Sequence, residues 1–221
     1  MAVERLEREL AEAQQRVDAA VERLPTEADA GVELDAALAE QWAAERTLAA
    51  ARGEEYAVPF DLGVRWSGGA PLPHLLSSGM RSFVAFYLDE PDPDWDGTYV
   101  TVVDPRDGTE ASLALAEFKG SVAVKLGPPN DEVLHGHPLD GRGLGGYGTY
   151  VVENSRWLAE LIEINRVHDY FDPQSWTDKR HFLLVFHDET VEAVAREIEV
   201  EPVRASIREL LAASIEKLGL E

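Results

Sequence analysis

The hydrophobic period of the chain changes at Gly53, and this change restricts the fold more than any other feature of the sequence. Before Gly53, apolar residues recur at alternating steps of three and four, which is the spacing of a helical heptad seam. The first seam covers residues 3–24 and stops at Pro25, which cannot continue a helix. A second stripe covers residues 32–51, and Gly53 fits its C-terminal cap. We therefore predict an antiparallel helical hairpin over residues 1–53.

The predicted hairpin needs a surface to pack against. Both seams are narrow and rich in alanine, and a hairpin of this kind is marginally stable alone because most helix stability comes from packing. The hairpin should therefore dock on the rest of the chain, pair with a second copy or bind another protein. We expect residues 1–53 to support a homo-oligomer or a contact with a protein partner.

After Gly53, short strand-like runs alternate with turn signals, and their spacing favours an antiparallel sheet over repeated βαβ units. Two helices are predicted among them, one over residues 156–167 and one that starts at Pro202. The predicted fold class is α+β: the N-terminal antiparallel helical hairpin is followed, over residues 54–221, by a mainly antiparallel β-sheet domain with one packed helix and a C-terminal helix. The predicted strands cover residues 81–88, 98–103, 111–118, 121–126, 147–152, 181–187 and 190–200.

The balance of charges excludes several kinds of partner. The chain has 42 acidic against 20 basic residues, a net charge of −22 that repels nucleic acids and anionic membrane surfaces. It has no cysteine, which rules out disulfides, zinc–thiolate sites and cysteine nucleophiles. The N-terminus is charged, and no apolar run is long enough to span a bilayer. We expect a soluble cytoplasmic protein, typical in its acidity of a bacterial cytoplasm, with no nucleic-acid and no membrane partner.

Residues 130–150 hold the first candidate site. His135 and His137 flank one glycine, and in an extended segment two residues at this spacing point the same way, so both imidazoles can reach one metal ion. With His187 or His168 as a third ligand, and a carboxylate beside them, this set predicts a divalent metal site that activates water; His187 is the preferred third ligand. The alternative is that these histidines form local hydrogen bonds and hold the loop.

Five glycines follow in the same loop, at positions 141, 143, 145, 146 and 148. The run lacks the Gly-Lys-Ser/Thr of a phosphate loop and does not open a helix, so neither common nucleotide-binding motif is present. Its backbone N–H groups can still form an anion-binding nest beside Arg142. We therefore predict a ligand site whose candidate residues are Arg142, Gly143, Tyr147 and His168. The alternative is a flexible loop with several residues at positive φ.

The predicted strand over residues 181–187 carries a histidine at each end, on the face opposite its aromatic core face. His187 lies beside Asp188 at a turn and is a candidate general base, and Asp131 is a further candidate. The predicted catalytic residues are therefore Asp131, His187 and Asp188, with the alternative that His187 only fastens the turn. The serines, Ser155 included, lie in no nucleophile-elbow sequence.

These observations support two hypotheses about function. The first is a cytoplasmic binding or assembly module, in which the hairpin mediates self-association or a partner contact and the loop rich in glycine and histidine forms a ligand or protein surface. The second is a metal-dependent hydrolase in which His135, His137 and His187 hold a divalent metal and Asp131 or Asp188 acts as the base. The first is preferred because the sequence holds no complete catalytic signature.

Overall fold

The structure is a computed structural model that describes residues 2–27, 29–79, 81–90 and 104–219. The predicted strand over residues 98–103 lies outside these ranges. None of the described helices is long and apolar enough to cross a membrane. The helices are α1 (Ala2–Arg23), α2 (Ala30–Arg52), α3 (Arg156–Asn165) and α4 (Ile207–Lys217). The strands are β1 (Tyr56–Pro59), β2 (His74–Ser78), β3 (Arg81–Tyr87), β4 (Ala111–Lys119), β5 (Ala123–Gly127), β6 (Thr149–Glu153), β7 (Arg180–Val185), β8 (Thr190–Ala195) and β9 (Glu197–Ala205).

Helices α1 and α2 form the predicted hairpin. The buried side chains of α1 are small or β-branched, namely Ala13, Val17 and Ala20, so the hairpin interface itself buries little apolar area. Gly53 caps α2 in the left-handed conformation, with φ of 69°, as its position after the second stripe predicted.

Every strand pair that the structure describes is antiparallel, and the strands form two sheets. The five-stranded sheet has the order β1-β6-β7-β8-β5, and the four-stranded sheet has the order β2-β3-β4-β9. The sheets face each other across one core, which contains Phe86, Phe118, Phe182 and Phe186. With the hairpin and the two further helices, this architecture confirms the predicted α+β class.

The chain passes from one sheet to the other within a single residue. Strands β8 and β9 are separated only by Arg196, whose N–H donates to Lys119 O at 2.9 Å. The single strand predicted over residues 190–200 is therefore wrong. The side chains that face the core are Val191, Ala193 and Ala195 before Arg196 but Ile198 and Val200 after it, a shift of one position that the prediction overlooked.

The C-terminal helix begins later than predicted. Pro202 lies in the edge strand β9, opposite Ala114 of β4, and α4 begins only at Ile207. Proline is tolerated in this strand because an edge strand leaves some N–H groups outside the ladder. The start of α4 is set by a capping box: the Ser206 hydroxyl accepts the Glu209 N–H, and the Glu209 carboxylate accepts the Ser206 N–H.

Each sheet also has a covered outer face. On the four-stranded sheet, α4 places Ile207 and Leu210 against Phe83, Leu113 and Leu115. This face is apolar under its cover, so it adds a second layer of core to the sheet.

The loop of residues 128–148, which we call the covering loop, lies over the outer face of the five-stranded sheet. Its Leu139 and Leu144 pack against Tyr150 of β6 and Leu183 of β7. The face of β7 that was predicted to lie opposite the aromatic core is therefore buried as well, under the loop instead of under a helix.

Helix α2 fastens the hairpin to the covering loop of the same chain. Glu45 is buried, and its Oε2 accepts the Gly143 N–H at 2.9 Å. A Cβ at Gly143 would overlap Arg46 Cγ, and one at Gly145 would lie 2.8 Å from Trp42 Cζ2. Two glycines of the loop are therefore required by the close approach of α2.

Candidate functional site

A cleft of about 720 Å³ opens between the covering loop and α3, on the outer face of the five-stranded sheet. We call it the central cleft. Side chains of β5, β7 and β8 form its floor, and many of them are polar. The charged, imidazole and indole side chains that line it belong to Glu55, Lys125, His137, Arg156, Trp157, Glu160, His181 and Glu192.

The register of three strands brings Lys125, His181 and Glu192 together. On β8, the two neighbours of Glu192 face the core between the sheets, so Glu192 itself faces outward. Lys125 on β5 lies directly opposite Glu192. His181 on β7 lies diagonally across from Glu192, whose direct partner on that strand is Leu183.

Glu192 is the centre of this group. Its side chain is 11% exposed, Oε1 lies 2.8 Å from Lys125 Nζ, and Oε2 lies 2.8 Å from His181 Nε2. His137 Nε2 lies 3.9 Å from Oε1, which is too far for a hydrogen bond. A carboxylate this deeply buried requires such pairing, because an unpaired charge is costly to remove from water.

The donors around Glu192 keep it ionised. Burial by itself raises the pKa of Glu192, but the N–H groups of His137, His181 and Lys125 that face it outweigh burial and hold the pKa far below its usual 4.5. Glu192 is therefore a fixed negative charge that orients its neighbours. It is a poor general base, because a base works best when its pKa lies near the working pH.

The neighbours of two imidazoles assign their donor and acceptor roles. Glu192 accepts from His181 Nε2, so Nδ1 of the neutral ring is left as an acceptor. Ser155 Oγ lies 2.8 Å from that Nδ1 and can donate its hydrogen to it. His137 Nδ1 accepts the Leu139 N–H at 3.2 Å, which directs the proton of that ring to Nε2, on the side of Glu192.

The first turn of α3 forms one wall of the central cleft. Trp157 stands edge-on to His181, with ring centroids 5.1 Å apart, and Lys125 Nζ lies 4.5 Å from the centre of the indole ring. Arg156 Nε lies 3.7 Å from Glu55 Oε1, and the Arg156 N–H donates to Glu55 Oε2 at 3.0 Å. The wall therefore combines an aromatic surface with groups of both charges.

Asp131, Tyr147 and His187 form a second polar group, which we call the tyrosine cluster. The Tyr147 hydroxyl donates to Asp131 Oδ2 at 2.7 Å, and His187 Nδ1 lies 3.0 Å from the same oxygen. Burial, together with the charge of Asp131, raises the pKa of Tyr147 to about 12, and the hydrogen bond from Tyr147 lowers the pKa of Asp131. Two predicted catalytic residues and one predicted ligand residue therefore converge here, whereas Asp188 is exposed in the adjacent turn.

The structure does not bring the predicted metal ligands together. His135 is exposed on a 3₁₀ turn, His137 lies in the central cleft, and His187 lies in the tyrosine cluster. The turn ends between His135 and His137, so the two rings do not point the same way as they would in a strand. Across the described ranges, no group of three His, Cys, Asp or Glu side chains has a geometry that could hold a metal ion.

The remaining predicted ligand residues are dispersed. Arg142 Nε lies 3.5 Å from the carboxylate of Glu54, and Gly143 contacts α2. His168 is exposed beyond the end of α3, where its Nδ1 accepts the Tyr170 N–H at 3.1 Å. The glycine-rich part of the covering loop is thus shaped by its contact with the hairpin. Glu45 occupies the backbone N–H of Gly143, which an anion-binding nest would need.

Of the residues that line the central cleft, His137 alone was predicted as a site residue. Glu192 had a signal, because a single carboxylate in the apolar strand β8 marks a buried charge that needs partners. Trp157 lies among the apolar residues of the helix predicted over residues 156–167, and no motif surrounds Lys125. Ser155 caps that helix by accepting the Leu158 N–H at 3.1 Å.

No protein-family model, curated protein or solved structure matches the chain. A functional proposal therefore depends on the geometry of the two polar groups. Of the two, the central cleft has the larger space for a ligand, whereas Tyr147 and His187 of the tyrosine cluster both approach the same oxygen of Asp131.

Proposed function

We propose that the protein is a binding module whose ligand occupies the central cleft, and that this ligand is a small zwitterion such as an amino acid or the end of a peptide. The observation that carries the proposal is the buried carboxylate of Glu192, whose neighbours Lys125, His137 and His181 all line the same cleft of about 720 Å³. This volume lies within the range of small-molecule pockets.

The charges of the cleft favour a ligand that carries both signs. Lys125 and Arg156 can pair with a carboxylate, whereas Glu55 and Glu160 can pair with an ammonium group. The side chains of Lys125 and Arg156 are 54% and 68% exposed, so both can exchange their present partners for a ligand. A ligand with a single charge would satisfy only half of these groups.

The apolar residues that line the cleft indicate that the ligand carries an apolar side chain. Trp157 offers an aromatic surface, and Pro128, Pro129 and Val133 line the same cleft. Val133 is half-exposed although it is a large apolar residue, so its surface is available to a ligand. An amino acid or a peptide end with an apolar side chain meets all of these features.

The hairpin has a supporting role in this proposal. Through Trp42 and Glu45 it contacts the covering loop, and the covering loop carries His137 into the cleft. The self-association or partner contact expected of residues 1–53 stays a prediction. The molar mass of the full chain, measured by light scattering, tests it, and a monomeric mass at high concentration would contradict self-association.

A titration followed by NMR tests the proposed ligand class. The ¹⁵N-labelled protein is titrated with each standard amino acid, with dipeptides, and with acetate and methylammonium as compounds of one charge. We expect saturable shifts at the amides of Lys125, His137 and Trp157 with a zwitterion, and at least about tenfold weaker binding of the two compounds of one charge.

Two lysine variants separate the cleft from the rest of the surface. Lys125→Ala should weaken binding at least about tenfold, because it removes the cation that pairs with the ligand carboxylate. Lys119→Ala is the matched control, since Lys119 pairs with Glu199 on the four-stranded sheet and should leave binding unchanged. Absence of any saturable shift in the cleft, or equal affinity in the two variants, would contradict the proposal.

A further inference from the structure

Ser155 lies in a tight turn between a strand and a helix. Strand β6 ends at Glu153, Asn154 has a left-handed φ of 53°, and Ser155 immediately precedes the first residue of α3. Asparagine adopts positive φ more readily than most residues, so the turn is tight without being strained. The order of strand, tight turn, serine and helix is one in which proteins present a nucleophilic hydroxyl, although no G-x-S-x-G sequence marks it here.

Ser155 is also the first member of a buried hydrogen-bonded chain. Its Oγ lies 2.8 Å from His181 Nδ1, and His181 Nε2 lies 2.8 Å from Glu192 Oε2. All three residues are more than nine-tenths buried. Because the ionised Glu192 holds the ring proton on Nε2, the other ring nitrogen is free to take the proton of the Ser155 hydroxyl. The same carboxylate then stabilises the imidazolium that forms.

A groove of about 360 Å³, separate from the central cleft in most of its lining, gives access to Ser155 and His181. Leu158 and Ile162 of α3 contribute apolar walls, and Arg180 contributes a cation. Apolar walls suit a hydrocarbon acyl chain. The Arg180 guanidinium can stabilise the negative charge that develops on a carbonyl oxygen beside Ser155.

We infer that Ser155 is a nucleophile for the hydrolysis of esters that carry a short apolar acyl group. Ser155 Oγ bonds to the carbonyl carbon while its proton moves to His181 Nδ1. The bond between that carbon and the leaving alcohol then breaks, and the alcohol takes the proton from His181, which leaves the acyl group as an ester on Ser155. Water next gives a proton to His181 and bonds to the acyl carbon, and release of the carboxylic acid returns the proton to Ser155 Oγ.

Comparison with Ser206 distinguishes a nucleophilic role of Ser155 from a purely structural role as a helix cap. Ser155 caps α3 by accepting the Leu158 N–H at 3.1 Å, and Ser206 caps α4 by accepting the Glu209 N–H at 3.3 Å. Both serines are buried. The hydroxyl of Ser206 donates to the Glu209 carboxylate, whereas that of Ser155 has an imidazole as its partner. If capping were the whole role of Ser155, the two serines should react alike.

Covalent labelling of the full chain tests the inference. The protein is treated with a fluorophosphonate, which forms a stable bond to an activated serine with loss of fluoride, and the modified peptide is identified by mass spectrometry. We expect one adduct, on Ser155 and not on Ser206. Hydrolysis of p-nitrophenyl butyrate should be measurable before labelling and lost after it.

The variants keep the helix caps while they remove the chemistry. Ser155→Asn retains a capping oxygen and should abolish both labelling and hydrolysis. His181→Ala should lower the hydrolysis rate by at least about 100-fold, and Ser206→Asn should leave it unchanged. Circular dichroism confirms that each variant is folded.

A folded wild-type protein without an adduct on Ser155 would overturn the inference, and so would unchanged hydrolysis in Ser155→Asn. The inference goes beyond the proposed binding function and does not depend on it. Lys125→Ala tests zwitterion binding in the central cleft, whereas labelling of Ser155 tests the separate groove, so either result can fail without the other.

Discussion

The outer faces of the two sheets are covered by different structural elements. On the four-stranded sheet, helix α4 covers an apolar layer that includes Phe83 and Leu115. On the five-stranded sheet, a loop and α3 cover a face that is apolar at one end and charged at the other, where His181 and Glu192 lie. Both faces carry carboxylates, but those of the four-stranded sheet, such as Glu117 and Glu199, are reached by solvent, whereas Glu192 is buried and its removal from water must be offset by fixed partners.

This difference indicates where function should be sought. A face that serves stability alone is best filled with apolar side chains, because they need no partners of fixed geometry. The part of the first face that lies under α4 follows that rule, and the covered part of the second departs from it around Glu192. Departures from rules of stability are expected at functional sites, so the charged end of the five-stranded sheet is the better candidate.

Truncation of the apolar face should have the largest effect on stability. Phe83→Ala removes a fully buried ring under α4 and should lower the free energy of unfolding by about 3–5 kcal/mol. Urea denaturation followed by circular dichroism measures the loss. Val167→Ala, at a position that is 86% exposed, is the control and should change stability by less than about 0.5 kcal/mol. A small effect at Phe83 would mean that α4 does not seal this face.

The covering loop is held over the charged face by its contact with helix α2 of the hairpin. Substitution of two glycines in this loop tests that contact. Gly143→Ala places a methyl group against Arg46 at a positive φ and should destabilise the protein by about 2–3 kcal/mol. Gly141→Ala has a similar φ but open space around it, so it should cost only about 1 kcal/mol. Equal effects in thermal denaturation would show that strain, and not contact with α2, limits these positions.

Neutralising the charged face should have a moderate effect that depends on pH. Glu192→Gln keeps the shape of the side chain, removes its charge, and should lower stability near neutral pH by about 1–2 kcal/mol. Because the pKa of Glu192 is lowered on folding from its usual 4.5, its contribution is complete above that value and is lost as the pH falls below it. The difference in unfolding free energy between wild type and variant should therefore shrink in acid. A difference that is independent of pH would contradict this account.

The tyrosine cluster should make the smallest contribution. Tyr147→Phe removes the hydrogen bond to Asp131, and because Tyr147 is half-exposed the loss of stability should be below about 1 kcal/mol. The raised pKa of Tyr147 means that its contribution is present below pH 10 and is lost as the pH rises through about 12. Burial also raises the pKa of Tyr87 and Tyr150, so absorbance of tyrosinate during an alkaline titration should show one late-ionising group fewer in the variant than in wild type.

Features that depend on residues close together in the chain were predicted correctly from the sequence, and other features were not. The hairpin, the cap at Gly53 and the aromatic face of β7 were predicted correctly, since each depends on residues that are close in the chain. The structure does not bring the H-x-H pair and His187 together, because a 3₁₀ turn replaces the extended segment on which that prediction depended. The C-terminal helix was begun too early because proline also suits an edge strand, and β2 was not predicted at all.

The sequence by itself determined the type of most local elements and the side chains that share one face of them, because hydrophobic period and turn chemistry are properties of neighbouring residues. Only the tertiary structure decided that β5 lies beside β8 and that α3 closes over their outer face. This arrangement places Lys125, His181 and Glu192 in contact across three strands. No local pattern encodes the order of strands in a sheet, because that order is set by packing between segments that are distant in the chain.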